Sequence, residues 1–263
     1  MTLPAIVLAA GRGERMRPLT DTCPKPLLPV RGQPLLAWHV RALVAGGFDR
    51  LVFNTAWLAN EISRFFGAYR LSDGTFQLPN SQAFCATFSN EQTDFGGALE
   101  TAGGIARALP LLGAHRLPQP NDAFWVVAGD VFVPGFAFTQ ASVDRFLASN
   151  ALAHLWLVPN PAHHPKGDFG IGPTGLALNL PTAEAHTDTP TARFTYSTIG
   201  LYRAALFAAP WCDLPHGNPG GLKAPLAPLL RRAMDAGQVS AELYTGPWTD
   251  VGTPERLAEL NTL

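Results

Sequence analysis

The chain has few of the residues that mark an exported or metal-knuckle protein. It carries three cysteines in 263 residues, Cys23, Cys85 and Cys212, each isolated from the others. An odd, scattered set supports neither a disulfide framework nor a Cys-x-x-Cys metal site, and it fits a reducing cytoplasm. Charge is scarce as well. Only 15% of residues are Asp, Glu, Lys or Arg, and 19 basic residues against 20 acidic ones leave a net charge of −1. Such a chain has no global basic field to attract nucleic acid, so any anion must be met by cations placed locally. There is no charge block, heptad run or internal repeat, and the first apolar run, AIVLA at 5–9, stops after a few residues. Neither a signal peptide nor a spanning helix is expected, no nucleic-acid or membrane partner is implied, and the expected location is cytoplasmic.

What the chain has is apolar bulk, 47% of its residues, enough for a sizeable core and read as a single domain over 1–263. Monomer and small homo-oligomer remain open. The first half alternates strand-like and helix-like patterns. AIVLA is followed by an amphipathic 34–47, RLVFNTA at 50–56 and a helix near 57–66; then come FCATFSN at 84–90, a helix at 101–112, FWVVAGD at 124–130, a helix near 139–149 and a strand at 151–159. This rhythm predicts an α/β fold, a Rossmann-like, mostly parallel sheet with helices on both faces. Residues 67–82 read as a polar loop insertion. Residues 160–195, rich in Pro, Gly, Thr and His, read as an irregular, β-rich region of short strands and loops covering a sugar substrate, before a strand at 192–204 and late helices near 222–236 and 254–262.

The segment LAAGRGERMRPLT at 8–20, continued by PKPLLPV at 24–30, carries the chemistry. Gly11 and Gly13 directly after a strand let backbone N–H groups turn toward an anion, and Arg12, Arg15, Arg17 and Lys25 supply charge. A P-loop would need Lys and Ser/Thr after the second glycine, where Glu14-Arg15 stands; a dinucleotide fingerprint would need glycine at Met16. The prolines at 18, 24, 26 and 29 keep the segment extended. A long basic loop over a polyphosphate is what remains. Asp130 ends an apolar strand, where a parallel sheet opens its ligand crevice, and so suits a magnesium ion. Cys23 reads as a loop filler, and the adjacent His163 and His164 lack the further ligands that zinc would need.

These residues resemble the sugar-1-phosphate nucleotidyltransferases, whose N-terminal signature LAxGxGxRxxPxTxxxPKPxxP is matched across 8–29. The resemblance implies that Arg15 holds the leaving β,γ-phosphates and that Lys25 bridges the sugar phosphate and the α-phosphate, making these the catalytic pair. Arg suits the first role through its bidentate fork and Lys the second as a point charge. It also implies that the backbone of Ala10, Gly11, Arg12 and Gly13 cradles the triphosphate, with Mg²⁺ held by Asp130 and by Asp250 of WTDVGTPER at 248–256. Glu91 and Gly103, in and before the run ALETAGG at 98–104, correspond to the loop that meets the pyrimidine. Glu100 reads equally as a helix-start residue complementing the dipole.

On the sugar side, NPAHHPKGDFG at 160–170 is similar to one subgroup of that family, which acts on N-acetylmuramate α-1-phosphate. By that similarity Asp168 and the adjacent backbone touch sugar hydroxyls, and Ala128 lies on the sugar side where close relatives carry Asn. Lys223 either faces the sugar or is a helix-start surface lysine. A lactyl carboxylate on the sugar would need a cation or backbone donors, with Lys223, then Lys166 and Arg203, as candidates. The expectation is therefore UMP transfer from UTP to N-acetylmuramate 1-phosphate with release of pyrophosphate, as in peptidoglycan recycling. The alternatives are a glucose-1-phosphate thymidylyl- or uridylyltransferase, a mannose-1-phosphate guanylyltransferase, or an inactive nucleotide-sensing subunit.

Overall fold

The structure is a computed structural model that describes residues 3–113, 122–180 and 192–262. In chain order the strands begin β1 (Ala5–Ala9), β2 (Pro29–Val30), β3 (Gln33–Pro34), β4 (Arg50–Thr55), β5 (Cys85–Asn90) and β6 (Ala123–Ala128). They continue as β7 (Val131–Phe132), β8 (Ala153–Val158), β9 (Phe169–Ile171), β10 (Ala177–Leu178), β11 (Arg193–Arg203), β12 (Val239–Leu243) and β13 (Thr249–Asp250). The helices are α1 (Leu35–Ala45), α2 (Ala59–Gly67), α3 (Glu91–Phe95), α4 (Glu100–Leu112), α5 (Gln140–Ala148), α6 (Leu226–Asp235) and α7 (Pro254–Thr262).

Strands β6, β1, β4 and β5 lie side by side and parallel, the arrangement the alternating pattern predicts. Beyond β6 the sheet turns antiparallel: β11 pairs with β6 on one edge and β8 on the other, and β9 and β10 extend it. The sheet is thus mixed with a parallel core. β12, which adds to β8 in parallel, carries too few apolar residues to stand out in the sequence.

Because strand side chains alternate, β1, β4 and β6 feed two separate cores. Ala5, Val7, Phe53, Trp125 and Val127 pack with α1, α2 and α5 on one face. Ile6, Val52, Phe124 and Val126 pack with α4 and α6 on the other. A third, smaller core joins Met16, Leu28, Leu35, Phe132, Val251 and Leu257 beneath the basic loop.

Two expectations shift. The polar stretch 67–82 is turn-rich but not detached, because Phe76 and Leu78 pack into the first core. Helix α6 starts at Leu226 rather than near 222, since Pro225 disfavours helical backbone in the residue before it. Of the region 160–195, residues 181–191 lie outside the described part of the chain. Among the described residues, no helix is long and apolar enough to cross a membrane.

His39 in α1 is buried and its Nε2 bonds the Val131 carbonyl at 2.7 Å. Burial pulls its pKa down to about 4, against the opposing pull of that hydrogen bond and of Asp130. The unfolded chain, with an ordinary histidine, takes up the proton first. Stability is therefore expected to fall as pH drops from about 6.5 toward 4, by at most about 3 kcal/mol from this group. Urea unfolding across that range checks it: His39→Gln should show a flatter pH slope than wild type, and an unchanged slope refutes the assignment.

Candidate active site

The loop after β1 is held from below and from the side. Gly13 has φ +68°, and a Cβ there would lie 3.0 Å from Thr20 Cγ2, so glycine is required on both counts. The Thr20 hydroxyl donates to the Gly13 carbonyl at 2.8 Å, and Met16, fully buried, anchors the turn in the third core. Arg12 lies 3.5 Å over the Trp57 ring and donates to the Thr20 carbonyl at 3.1 Å. It braces the loop and does not line the cavity that the loop encloses.

That cavity, about 510 Å³, opens at the carboxyl ends of β1, β4 and β6. Ala10, Gly11, Gly13, Arg15, Lys25 and Asp130 line one side; Asn54, Ala98, Glu100 and Thr101 line the other. Lys25, only 8% exposed, pairs with Asp130 Oδ2 at 2.6 Å. Arg15 has no carboxylate partner among the described residues, and its guanidinium lies 3.3 Å from where a Cβ on Gly252 would be. Gly252 follows Asp250, and β13 sets Asp250 opposite Val131 of β7, beside Asp130. Asp250 Oδ1 is taken by Arg256, and His163 Nε2 lies 2.8 Å from the same oxygen and 3.1 Å from Arg256 Nη1. His163 thereby ties the 160–168 loop to this carboxylate.

A second cavity, about 520 Å³, adjoins the first and shares Leu8, Glu100, Thr101, Ala128 and Thr198 with it. It is mostly apolar, with Asp168, Phe169, Tyr196, Pro225 and Leu226 in its wall. Asp168 accepts the Tyr196 N–H at 2.8 Å and faces His164 at 3.1 Å. Arg193 fixes that turn, donating to the carbonyls of Lys166, Gly167 and Asp168. Nothing in the local sequence singles Arg193 out, because its partners are carbonyls about 25 residues away. The Tyr196 hydroxyl is buried against that of Tyr202 at 2.6 Å, and burial raises its pKa, so it stays protonated.

Of the expected residues, then, the structure gathers Ala10, Gly11, Gly13, Arg15, Lys25, Ala128 and Asp130 around the first cavity, with Asp250 adjacent and Asp168 in the second. Four lie elsewhere. Arg12 braces the loop, as described. Glu91 is buried, accepting the Leu99 N–H at 2.8 Å and the Asn54 amide, and desolvation raises its pKa against those two bonds. Gly103 packs beneath the 222–224 segment, where a Cβ would meet the Leu222 carbonyl at 2.6 Å, and its N–H is spent on Ala224. Lys223 is exposed, two residues before cavity-lining Pro225. Lys166 is exposed as well, and Arg203 donates to the carbonyls of Phe146, Ser149 and Ala151 at the end of α5. Among the described residues, no lysine or arginine lines the second cavity.

Sequence comparison matches residues 5–188 to the MobA-like NTP transferase domain. The chain is 43% identical over 261 residues to the N-acetylmuramate alpha-1-phosphate uridylyltransferase of Neisseria meningitidis serogroup B, covering 98% of this chain and 97% of that protein. It is 29% identical to the protein of the same name from Caulobacter vibrioides, over 95% and 92% of the two chains. A UTP–glucose-1-phosphate uridylyltransferase from Synechocystis is 32% identical over 94% of this chain but only 60% of its own length. A Bacillus anthracis protein provisionally named a glucose-1-phosphate thymidylyltransferase, crystallised with sucrose, superposes with a TM-score of 0.70 at 20% identity, over 98% and 94% of the chains. At that identity the superposition speaks to the fold alone.

Glu100 and Thr198, both shared by the two cavities, have left-handed backbone at φ +61° and +68°. Left-handed backbone is strained for non-glycine residues and is tolerated where surroundings over-determine it. Glu100→Gly should accordingly unfold at an equal or higher urea midpoint than wild type, with a gain of up to about 1 kcal/mol. A clear loss of stability would show that the Glu100 side chain, not its backbone, fixes the turn.

Proposed function

The chain belongs to the MobA-like NTP transferase family, and from that premise we propose that it transfers UMP from UTP to N-acetylmuramate α-1-phosphate, giving UDP-N-acetylmuramate and pyrophosphate. The observation that carries this reading is the near full-length similarity to the Neisseria protein, joined to a phosphate-loop cavity that opens into a second, largely apolar one. In the proposed reaction a phosphate oxygen of the sugar 1-phosphate attacks the α-phosphorus of UTP. The bond from that phosphorus to the bridging oxygen breaks, and pyrophosphate carries away the electron pair. Such transfer needs in-line placement and charge cancellation more than covalent help.

The residues suit that division of labour. Backbone N–H groups at Gly11 to Gly13 cradle the β- and γ-phosphates, and Arg15, lacking a carboxylate partner among the described residues, takes up charge on the leaving pyrophosphate. Lys25, held by Asp130 at the junction, bridges the two reacting phosphates. Asp130 Oδ1 and Asp250 Oδ2 accept no hydrogen bond among the described residues, which leaves two hard oxygens, one in the turn between β6 and β7 and one on β13, the strand paired with β7. Magnesium commonly binds through one or two carboxylates plus substrate phosphates and water, so these two fit it, although no group of three protein ligands is found among the described residues. When bound, the ion would neutralise developing phosphate charge. Asp168 accepts sugar hydroxyls, Ala128 lies beneath the sugar, and exposed Lys223 reaches the lactyl carboxylate from the rim. Isolated, unpaired cysteines and the use of UTP support a cytoplasmic reaction.

A matrix of nucleoside triphosphates against sugar 1-phosphates, read by pyrophosphate release, tests the reading. UTP with N-acetylmuramate 1-phosphate should be best; a preference for glucose or N-acetylglucosamine 1-phosphate, or for GTP, would overturn it. Lys223→Ala should weaken use of the muramate more than of N-acetylglucosamine 1-phosphate, and equal losses would displace Lys223 from its role.

Arg15→Ala and Lys25→Ala should each lower kcat by about 100-fold or more while the protein stays folded. Asp130→Asn and Asp250→Asn should raise the magnesium concentration needed for half-maximal rate, and activity that survives EDTA unchanged would remove the metal from the scheme.

A further inference from the structure

The floor of the first cavity is a cross-strand row on one face of the sheet. Ala128 of β6, Leu8 of β1 and Asn54 of β4 stand directly opposite one another in register, and all three line the cavity. Two of the three are apolar. Asn54 is the exception, an amide only 3% exposed at the end of a β-strand whose other face-mate, Val52, is core.

Its two polar atoms are not equivalent. Nδ2 donates to Glu91 Oε1 while Glu91 Oε2 accepts the Leu99 N–H, so both carboxyl oxygens act as acceptors and this contact sets which way the amide is turned. The Nδ2 side is pressed toward α4, where a Cβ on Gly104 would lie 2.9 Å from Nδ2 and 2.6 Å from Glu91 Oε1. Oδ1 therefore turns away from the helix, and among the described residues it accepts no hydrogen bond. Asn54 lines the cavity, so this unpaired acceptor is open to a ligand that supplies a donor in place of water.

We infer that Asn54 reads the base: its Oδ1 accepts the N3–H of a pyrimidine-2,4-dione, and Glu91 is the positioning residue that locks the amide in that orientation. The inference rests on the uridylyl-transfer reading above and deepens it. The phosphate loop, Arg15 and Lys25 occupy the near end of the cavity and the second cavity takes the sugar, which leaves the wall of Asn54 and Ala98 for the base. Uracil carries a donor at N3. Cytosine carries an acceptor at the same position, which would face Oδ1 with no proton between them. The device thus selects UTP over CTP, two pyrimidines of nearly the same size that a cavity shape alone separates poorly.

The test is the ratio of kcat/KM for UTP and CTP at saturating N-acetylmuramate 1-phosphate, with folding of each variant checked by thermal melting. Asn54→Ala should lower kcat/KM for UTP by about 10- to 100-fold, the range for loss of one buried hydrogen bond, with CTP changed little and KM for the sugar phosphate unmoved. Glu91→Gln, nearly isosteric, lets the facing amide turn either way and should erode the same ratio by several-fold; it also serves if Asn54→Ala does not fold. A merely structural role would slow both nucleotides alike. Equal losses for UTP and CTP, or a ratio kept within about two-fold of wild type in folded variants, overturn the inference while the uridylyl reading stands. Wild-type enzyme that uses CTP as well as UTP overturns the base assignment and that reading together.

Discussion

The arrangement depends on one constraint: the central strands β1, β4 and β6 are buried on both faces, so successive side chains must satisfy two different cores. Ala5, Val7 and Ala9 serve the α1 side, and Ile6 serves the α4 side. Parallel strands of this kind read as continuous apolar runs because no residue in them can face water. The same constraint locates the site. Toward the carboxyl ends of these strands Leu8, Asn54 and Ala128 form one cross-strand row that floors the first cavity, and Leu8 and Ala128 line the second as well.

The charges at that edge are compensated within the protein. A lysine as buried as Lys25 would be costly without a partner, and Asp130 provides one; Asp250 is likewise held by Arg256 and His163. Each pairing engages one oxygen and leaves the other without a hydrogen bond among the described residues, so the carboxylates are oriented without being saturated. An anion entering the cavity would meet Lys25 already held in place by Asp130, and electrostatic stabilisation is worth most where no reorganisation is needed. His163 also brings the 160–168 loop and Asp250 into one cluster, although they are nearly ninety residues apart in the chain.

Strain collects at the same place. Thr198 sits at a bulge in β11, where the register with β8 shifts between Tyr196 and Gly200, and Glu100 opens α4 with left-handed backbone. Bulges beside ligand sites re-aim side chains, and here both strained residues border the junction of the two cavities. The cost is met by the packing of β11 against β6 and β8 and of α4 against β4.

The sequence by itself determined the parallel core, because a two-sided apolar strand and an amphipathic helix are local patterns. It also determined the phosphate loop, since Gly11, Gly13, Arg15 and Lys25 fall within one short segment whose glycine and proline positions dictate its backbone. A shared role for Asp130 and Asp250 was expected only through resemblance, and Asp250 comes beside Asp130 only because β13 meets β7, two strands distant in sequence. Tertiary structure alone decided which polar residues face a ligand. Arg12 was expected at the phosphates and is stacked on Trp57; Glu91 was expected at the base and is buried holding Asn54; Gly103 gives its N–H to Ala224. In each case the deciding partner lies dozens of residues away, and the direction of a side chain depends on that partner. Asn54 shows the same limit from the other side. Within RLVFNTA it is one polar residue near a strand end, and only its register beside Leu8 and its contact with Glu91 turn it toward the cavity.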